Sequence, residues 1–272
     1  STTLSWFSSY LTDRYQTVSI DKLNSDRVRL ECGVPQGSVL GPVLFTLYTQ
    51  PLDHVFDRHN VLHHSFADDS QLQNSSTPDQ SDTVLSTLSN TITDVQNWMT
   101  ENKLQLNSNK TEAILIGTTS KLSKATSDSL ELSDSSVPLS STVKNLGVTL
   151  DNTLSMKQHI SSVSRTCYFQ LRRIATIRKY LTTDATAKLV TSTILSRLDY
   201  CNSLLAGLPA SSIYRLQRIQ NSSARLVLKK KKKDHITPLL QQLHWLPISH
   251  RIKYKLNTLT YKCLNKLAPS YL

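Results

Sequence analysis

The sequence pattern changes near residue 152, and this change limits the possible folds more than any other feature of the chain. Before it, short alternating segments that favour β-strands are interleaved with two helical patterns. After it, apolar residues recur at steps of three and four through long segments, the first of which runs from Leu154 to Ile177. The sequence therefore predicts an α+β first part, residues 1–152, followed by an all-helical second part, residues 153–272.

The net charge changes sign at almost the same position. Residues 1–160 hold 11 Lys and Arg against 17 Asp and Glu, a net charge of −6, whereas residues 161–272 hold 20 against 3, a net charge of +17. A basic helical part favours a polyanion as partner, with nucleic acid first. The alternative is a solvated basic surface that has no ligand.

The remaining composition excludes several classes of protein. No stretch approaches the roughly 18 consecutive apolar residues of a membrane span, so we expect no membrane partner. The first residues show no signal peptide. The four cysteines form no Cys-x-x-Cys pair, and the histidines between residues 54 and 64 lack zinc spacing. These features are typical of a reduced intracellular protein, in the nucleus or the cytoplasm.

Two segments of the first part combine turns with residues that can carry chemistry. A turn containing Gly33 and Gly37 leads into a helical pattern that begins near Pro42. Residues on either side of Asp68 and Asp69 alternate, which predicts a β-hairpin with two carboxylates at its tip. Hard cations prefer oxygen ligands, so the pair suits a two-metal phosphoryl-transfer site, although two aspartates are also ordinary turn residues.

Periodicity and turn residues predict the other elements. They are a helix ending near residue 15, strands over 17–20, 27–30, 112–116 and 143–150, the last interrupted at Gly147, and helices over 84–99, 183–198, 211–228 and 249–267.

Four segments, in this order, resemble the motifs of the reverse transcriptase palm. They are Val34 to Pro42, Phe66 to Asp69, Asn102 to Asn107 with Lys110 to Glu112, and Lys144 to Val148. The chain is most similar to the polymerases of non-LTR retrotransposons, the long interspersed elements. That similarity covers nearly the whole chain, because it extends to Trp6 to Leu11, Leu198 to Asn202, His235 to Leu240 and Leu243 to Pro247.

The resemblance implies both a fold and an activity. The fold is a partial polymerase palm, an antiparallel sheet with helices on one face, followed by a basic, thumb-like helical lobe. The activity is RNA-directed DNA synthesis, in which a primer 3′-hydroxyl attacks the α-phosphate of a deoxynucleotide paired to an RNA template. The implied partners are therefore an RNA template, a DNA primer, deoxynucleoside triphosphates and two Mg²⁺ ions.

Roles for individual residues follow from the same resemblance. Asp68 is expected to be the principal catalytic metal ligand, with Asp69 beside it. Phe66 is expected to line the site near the primer end and to belong to the core. Gln36 and Gly37 are expected to lie against the nascent base pair, where only hydrogen at Gly37 permits close approach.

Lys110, Leu146 and Gly147 complete the implied site. Lys110 would approach the triphosphate, and Leu146 with Gly147 would form the primer-grip turn. A structural alternative remains open for each of three residues implied by the resemblance. Gly37 would only shape a turn, Lys110 would be solvated, and Leu146 would be a core residue. On the thumb-like lobe, the arginines expected to follow the template–primer backbone are Arg165, Arg172, Arg173 and Arg178.

The sequence also departs from the family pattern. The upstream palm strand that carries a further catalytic aspartate, and the fingers, are not recognisable, so we expect the isolated chain to be inactive. A non-catalytic nucleic-acid-binding protein and a decayed retroelement remnant are the alternatives. The run Lys229 to Lys233 is read as a solvated loop, with a nucleic-acid contact or a nuclear-import patch as alternatives. The oligomeric state is left open.

Overall fold

The computed structural model describes residues 2–35, 37–125, 127–132 and 135–272, so Gln36 lies outside the described residues. The fold class is α+β, as predicted, with 54% of residues helical and 14% in strands. The chain forms two compact units. The first comprises Ser1–Ala113 and Ser123–Leu139, and the second comprises Ile114–Leu122 and Ser140–Leu272. The predicted domain boundary at residue 152 stays a prediction.

The first unit is built from short strands and four longer helices. Its helices are α1 (Thr2–Leu11), α2 (Gly41–Thr49), α3 (Leu52–Arg58) and α4 (Ser81–Glu101). Its strands are β1 (Arg14–Gln16), β2 (Ser19–Ile20), β3 (Leu23–Asn24), β4 (Val28–Leu30), β5 (Leu62–Phe66), β6 (Asp69–Gln73), β7 (Ser129–Leu132) and β8 (Ser135–Pro138).

The second unit contains one hairpin and most of the helices. Its strands are β9 (Thr142–Asn145) and β10 (Val148–Asp151). Its helices are α5 (Thr119–Leu122), α6 (Lys157–Ile177), α7 (Thr183–Val190), α8 (Ser196–Asp199), α9 (Ala210–Val227), α10 (Ile236–Gln242) and α11 (Ile248–Leu264), with a π-helical segment, Thr191–Leu195, joining α7 to α8.

Among the described residues, the strands form two-stranded antiparallel ladders instead of one sheet. β1 pairs with β4, and β2 pairs with β3 between them in sequence. Three more ladders join β5 to β6, β7 to β8 and β9 to β10. Each ladder is local, because every strand is short and pairs with a strand close to it in sequence.

The strand predicted over residues 112–116 is wrong. Only Ala113 pairs, in an isolated parallel bridge with Leu139. Leu139 follows Pro138, the last residue of β8, and proline has no N–H with which to extend a ladder.

The core of the first unit lies between α3 and α4. Leu52, Val55 and Phe56 of α3 are buried against Val95 of α4, which confirms the predicted amphipathic helix. Leu72 of β6 packs against this cluster. The β5–β6 hairpin is therefore attached to a helical core at the end away from its tip.

The larger core belongs to the second unit, where α6, α9 and α11 pack together with the π-helical segment. Its most buried residues include Ile160, Cys167, Ile194, Leu216, Ile219 and Ile248. Burial raises the pKa of the Cys167 thiol to about 11, so this cysteine is an unreactive packing residue. Among the described helices, none is long and apolar enough to cross a bilayer.

Some helices differ from the sequence prediction. α1 ends at Leu11 and not near residue 15. α6 begins at Lys157 and not near Leu154, because the carboxylate of Asp151 holds the preceding loop by accepting N–H bonds from Ser155 and Met156. The short helix α10 was not predicted, since seven residues are too few to show a helical period.

Candidate active site

The two aspartates lie at the tip of the β5–β6 hairpin, as predicted, but the turn is shifted by one residue. Phe66 pairs with Asp69, so Ala67 and Asp68 form the two-residue turn and Asp69 is the first residue of β6. Ala67 has a left-handed backbone, with φ of 55°. Tight two-residue hairpin turns need such a conformation at the first turn residue.

The hairpin tip is exposed to solvent. Asp68 and Asp69 are both exposed. Phe66 is 65% exposed, so the prediction that it belongs to the core is wrong. The reason is that α3 packs beside His63 of β5, whose ring lies 4.6 Å from that of Phe56, and the strand then runs on beyond the core. The aromatic ring and the two carboxylates are all accessible to a ligand.

The donor type at the tip fits a divalent cation. Carboxylate oxygens are the ligands that hard cations prefer, and the turn presents two of them at consecutive positions. Across the described ranges, the structure contains no group of three or more His, Cys, Asp or Glu residues that could hold a metal ion. Among the described residues, the hairpin tip therefore offers two carboxylates without a third His, Cys, Asp or Glu ligand beside them.

The glycine turn is held by α1. The Tyr10 hydroxyl donates to Ser38 Oγ at 2.6 Å, and Ser38 Oγ accepts the N–H of Gly41 at 3.1 Å. Gly41 is buried at the start of α2, where a Cβ would lie 3.0 Å from Ser38 Oγ. Tyr10, Ser38 and Gly41 were not predicted as site residues, although a glycine directly before the proline of a first helical turn is visible in the sequence.

The backbone conformation of residue 37, and not close packing around it, favours glycine at this position. Its φ is 81°, and a Cβ there would meet nothing within 4 Å. Lys110 is exposed at the end of a short turn, Ser108–Lys110. In the described part of the chain, no hydrogen bond or ion pair links Gly37 or Lys110 to Asp68 or Asp69. The structure does not join these predicted site residues by direct contact.

The predicted primer-grip turn is in the second unit. Asn145 pairs with Val148, so Leu146 and Gly147 form a two-residue turn, with φ of 43° and 83°. Positive φ at both positions is the type I′ geometry that suits a twisted hairpin. Leu146 is 37% exposed, which excludes the alternative that it is a core residue.

Tyr200, which sequence analysis did not place in the site, supports this turn. Its hydroxyl donates to the carbonyl oxygen of Leu146 at 2.5 Å, and its ring lies 3.6 Å from where a Cβ on Gly147 would be. The neighbouring Cys201 raises the pKa of Tyr200, so the phenol remains a donor at neutral pH. The only sequence signal was that Tyr200 lies in a segment with family resemblance.

Tyr200 follows α8, and an ion pair anchors that end of the helix. Arg251 donates to Asp199 at 2.6 Å, and its Nε donates to the Leu246 carbonyl at 2.8 Å. Burial raises the pKa of Asp199 even though Arg251 acts in the opposite direction. The ion pair therefore fixes the residue adjacent to Tyr200.

The other end of the β9–β10 hairpin is fixed to α6. The carboxylate of Asp151 accepts bonds from the hydroxyl of Thr153 and from the N–H groups of Ser155 and Met156. Burial alone would raise the pKa of Asp151, but these hydrogen bonds outweigh it and lower the pKa. His159 Nδ1 accepts the N–H of Thr149 at 3.3 Å, and burial lowers the pKa of His159.

The arginines of α6 divide into two groups. Arg165, Arg172 and Arg173 are exposed, and the guanidinium of Arg173 lies 5.7 Å from the ring of Phe169, which is 49% exposed. These residues form an open basic surface with an aromatic ring among them.

Arg178 is not part of that surface. It is only 6% exposed, and it donates to the carbonyls of Leu181, Leu226 and Val227 at 2.7–2.9 Å. The last two carbonyls lie at the C-terminal end of α9, where the helix offers few N–H donors, and that of Leu226 also accepts the N–H of Lys229 at 3.4 Å. The predicted contact of Arg178 with a nucleic-acid backbone is therefore wrong, because the guanidinium already binds carbonyl groups of the protein.

The lysine run Lys229 to Lys233 is an exposed loop between α9 and α10. Its turn is closed by Asp234, whose carboxylate accepts the N–H of Lys231 at 2.6 Å. This agrees with the expectation of a loop between helices.

Residues 1–150 match the family described as reverse transcriptase (RNA-dependent DNA polymerase). This is more than half of the chain, and it includes the carboxylate hairpin, the glycine turn and the Leu146–Gly147 turn. The chain belongs to the reverse transcriptase family.

Three curated relatives, all from Drosophila melanogaster, are similar over much of the chain. The probable RNA-directed DNA polymerase from transposon BS is 30% identical over 227 residues, 80% of this chain and 25% of the relative. The RNA-directed DNA polymerase from mobile element jockey is 26% identical over 173 residues, 61% of this chain and 18% of the relative.

The third relative, the probable RNA-directed DNA polymerase from transposon X-element, is 27% identical over 80% of this chain and 24% of its own length. The resemblance to reverse transcriptases of non-LTR retrotransposons is thus confirmed. The chain spans about a quarter or less of these relatives. No solved structure gives a significant match.

Proposed function

We propose that this chain carries part of the site for RNA-directed DNA synthesis by a non-LTR retrotransposon protein. The observation that carries the proposal is the pair of exposed carboxylates, Asp68 and Asp69, at a hairpin tip within the residues that match the family. The substrates would be deoxynucleoside triphosphates, with RNA as template and a DNA 3′-end as primer.

Asp68 and Asp69 would hold Mg²⁺, for which their oxygen donors are suited. When bound, the metal ions supply activation of the primer hydroxyl and stabilisation of the charge that develops on the phosphoryl oxygens. Phe66, exposed next to Asp69, would contact the primer end. Gln36 and Gly37 would face the nascent base pair, and Lys110 would place positive charge near the triphosphate.

The two parts of the chain would have different roles. Residues 1–152 would act as a partial palm and residues 153–272 as a thumb-like lobe. The Leu146–Gly147 turn would hold the primer strand. On α6, Arg165, Arg172 and Arg173 would contact backbone phosphates, and their exposure supports this role.

We further propose that the 272-residue chain by itself does not polymerise. Two carboxylates are fewer ligands than two metal ions share in a phosphoryl-transfer site, which supports this proposal. We place its action inside the cell, in the nucleus or cytoplasm, which fits its four free cysteine thiols.

The test is primer extension on an RNA template by a longer protein that contains this chain. Asp68→Asn should reduce extension by at least about a hundredfold, since it removes charge where transition-state charge is stabilised. Asp79→Asn, an exposed aspartate of the same unit, is the matched control and should extend normally. Normal extension by Asp68→Asn would reject the proposal.

A second candidate function is nucleic-acid binding without catalysis. The observation that favours it is the excess of basic residues after residue 160, 20 Lys and Arg against 3 acidic residues. In this case, binding of RNA would be salt-dependent and would not change in Asp68→Asn, while extension would be absent in every longer form of the protein.

A further inference from the structure

Helix α11 has one buried side and one open side. Ile248 and Ile252 are buried in the core of the second unit, and Leu256 packs against the same core. On the opposite side, Tyr254 is 66% exposed and Tyr261 is 61% exposed. The two tyrosines are seven residues apart, so they share one face and are separated by about 10 Å along the helix axis.

The two rings are free to bind a ligand. Within the described part of the chain, neither ring stacks on another aromatic ring or lies under a cation, and neither hydroxyl is hydrogen-bonded. Both rings therefore present their faces to solvent, where an unpaired base could stack on them.

The surroundings of the tyrosines are positive. Lys253, Lys255 and Lys262 are exposed on either side of them, and the sequence has no acidic residue after Asp234. The three carboxylates after residue 160 already have partners. Asp184 pairs with Lys188, Asp199 pairs with Arg251, and Asp234 accepts the N–H of Lys231. Asp199 also interacts electrostatically with Lys255, so the positive charge that this face offers a ligand rests mainly on Lys253 and Lys262.

We propose that this face of α11 binds single-stranded nucleic acid, with bases stacked on Tyr254 and Tyr261 and phosphates bound by Lys253, Lys255 and Lys262. Exposed aromatic rings between basic residues are suited to unpaired bases, whose ring faces are open. A duplex would engage the lysines alone, because its bases are already stacked on one another. The proposal deepens the proposed function by adding a strand-binding surface outside the residues that match the family.

The test is fluorescence anisotropy with the full 272-residue chain and three labelled probes. The probes are a 20-nucleotide uridine RNA, the matching thymidine DNA strand, and a DNA duplex of equal length. The double variant Tyr254→Ala/Tyr261→Ala should weaken binding of the single strands by about tenfold or more and leave duplex binding within about twofold. Tyr254→Phe/Tyr261→Phe keeps the rings and should bind nearly as the natural chain does.

Charge is tested separately. Lys253→Gln/Lys262→Gln should reduce the slope of log affinity against log salt concentration by about 1.4, the value expected for two lost contacts to a single strand. Tyr214→Ala, at an equally exposed tyrosine of α9, and Lys188→Gln, in an exposed ion pair of α7, are the controls. Circular dichroism should show that all variants unfold at nearly the same temperature.

Unchanged binding of single strands by the double alanine variant would overturn the proposal. Equal weakening for the duplex, or displacement of RNA by polyglutamate at the same charge concentration, would also overturn it in favour of a general polyanion or acidic-protein surface. RNA and DNA probes show which strand is preferred. The assay needs neither nucleotide nor metal, so its failure would leave the Asp68 extension test untouched.

Discussion

The hydroxyl of Tyr200 donates a hydrogen bond to the carbonyl oxygen of Leu146 at 2.5 Å, although the two residues are 54 positions apart. This bond joins the end of α8 to a turn whose two residues both have positive φ. The other end of the same hairpin is fixed to α6 through Asp151 and His159. The proposed primer-grip turn is thus held at both ends by the helices of its own unit.

Replacement of Tyr200 by phenylalanine should loosen this turn. The variant loses one hydrogen bond at a half-exposed site, so we expect a loss of about 0.5–1 kcal/mol in the free energy of unfolding. Hydrogen exchange at the Val148 N–H should accelerate by more than the global loss explains. Tyr214→Phe is the control, and equal exchange rates at Val148 in both variants would contradict the role of Tyr200.

Leu146→Asn should stabilise the chain. Leucine is disfavoured at φ of 43°, whereas asparagine tolerates the left-handed region and Asn-Gly is the preferred type I′ pair. We expect a gain of about 0.5–1 kcal/mol in urea unfolding. Leu204→Asn, at a leucine that is 51% exposed and has no positive φ, should give no gain, and a gain there of the same size would point to the polarity of the exposed side chain instead.

Local sequence pattern is sufficient to predict some elements of this structure. The periodicity of α4 and the alternation around Asp68 depend on neighbours within a few residues, and both predictions are confirmed. The hydrogen bond from Tyr200 to Leu146 could not be predicted, because no local pattern relates a tyrosine to a carbonyl 54 residues away. The same limit applies to the contact between Tyr10 and Ser38.

Arg178 is different, because its sequence position did contain a signal. Ile160, Cys167 and Ile174 are buried at steps of seven on α6, and Arg178 follows Ile174 by four residues, which places it on the same face. Residue type alone suggested an exposed cation. The helical period, in contrast, correctly indicates that Arg178 is buried.

Asp151 should make the free energy of unfolding depend on pH in the acid range. Its pKa is lowered in the folded chain, so its contribution is complete above the ordinary value of 3.8 and is lost as pH falls through the folded-state pKa. Asp151→Ala should lower the free energy of unfolding at pH 7 by about 1–3 kcal/mol, since the buried N–H of Met156 and the partly buried N–H of Ser155 lose their acceptor. Urea unfolding between pH 7 and pH 3 should show a smaller pH-dependent loss in the variant, and parallel curves would contradict this prediction.

His159 should make the free energy of unfolding depend on pH in a less acidic range than Asp151 does. Its folded-state pKa lies below the ordinary value of 6.5, so the unfolded chain binds the proton more readily and stability rises with pH between the two values. Protonation would also remove the acceptor for the Thr149 N–H. Between pH 7.5 and pH 5.5 the natural chain should lose more stability than His159→Gln. The exposed His64 gives the control, His64→Gln, which should lose as much as the natural chain.

Substitutions of Arg172 and Arg178 should affect different properties, although both residues are arginines near the end of α6. The Arg178 variant should lose stability, and the Arg172 variant should lose affinity for nucleic acid. Arg178→Lys keeps the charge but cannot reach three carbonyl groups, so the free energy of unfolding should fall by about 3 kcal/mol. Arg172→Gln removes an exposed charge, so stability should change by less than about 0.5 kcal/mol while affinity for an RNA–DNA duplex falls at low salt. Urea unfolding and anisotropy on the same preparations measure both effects. Natural stability together with weakened duplex binding in Arg178→Lys would mean that Arg178 contacts the nucleic acid. The expected result instead assigns Arg178 to the end of α9 and Arg172 to the contact with phosphate.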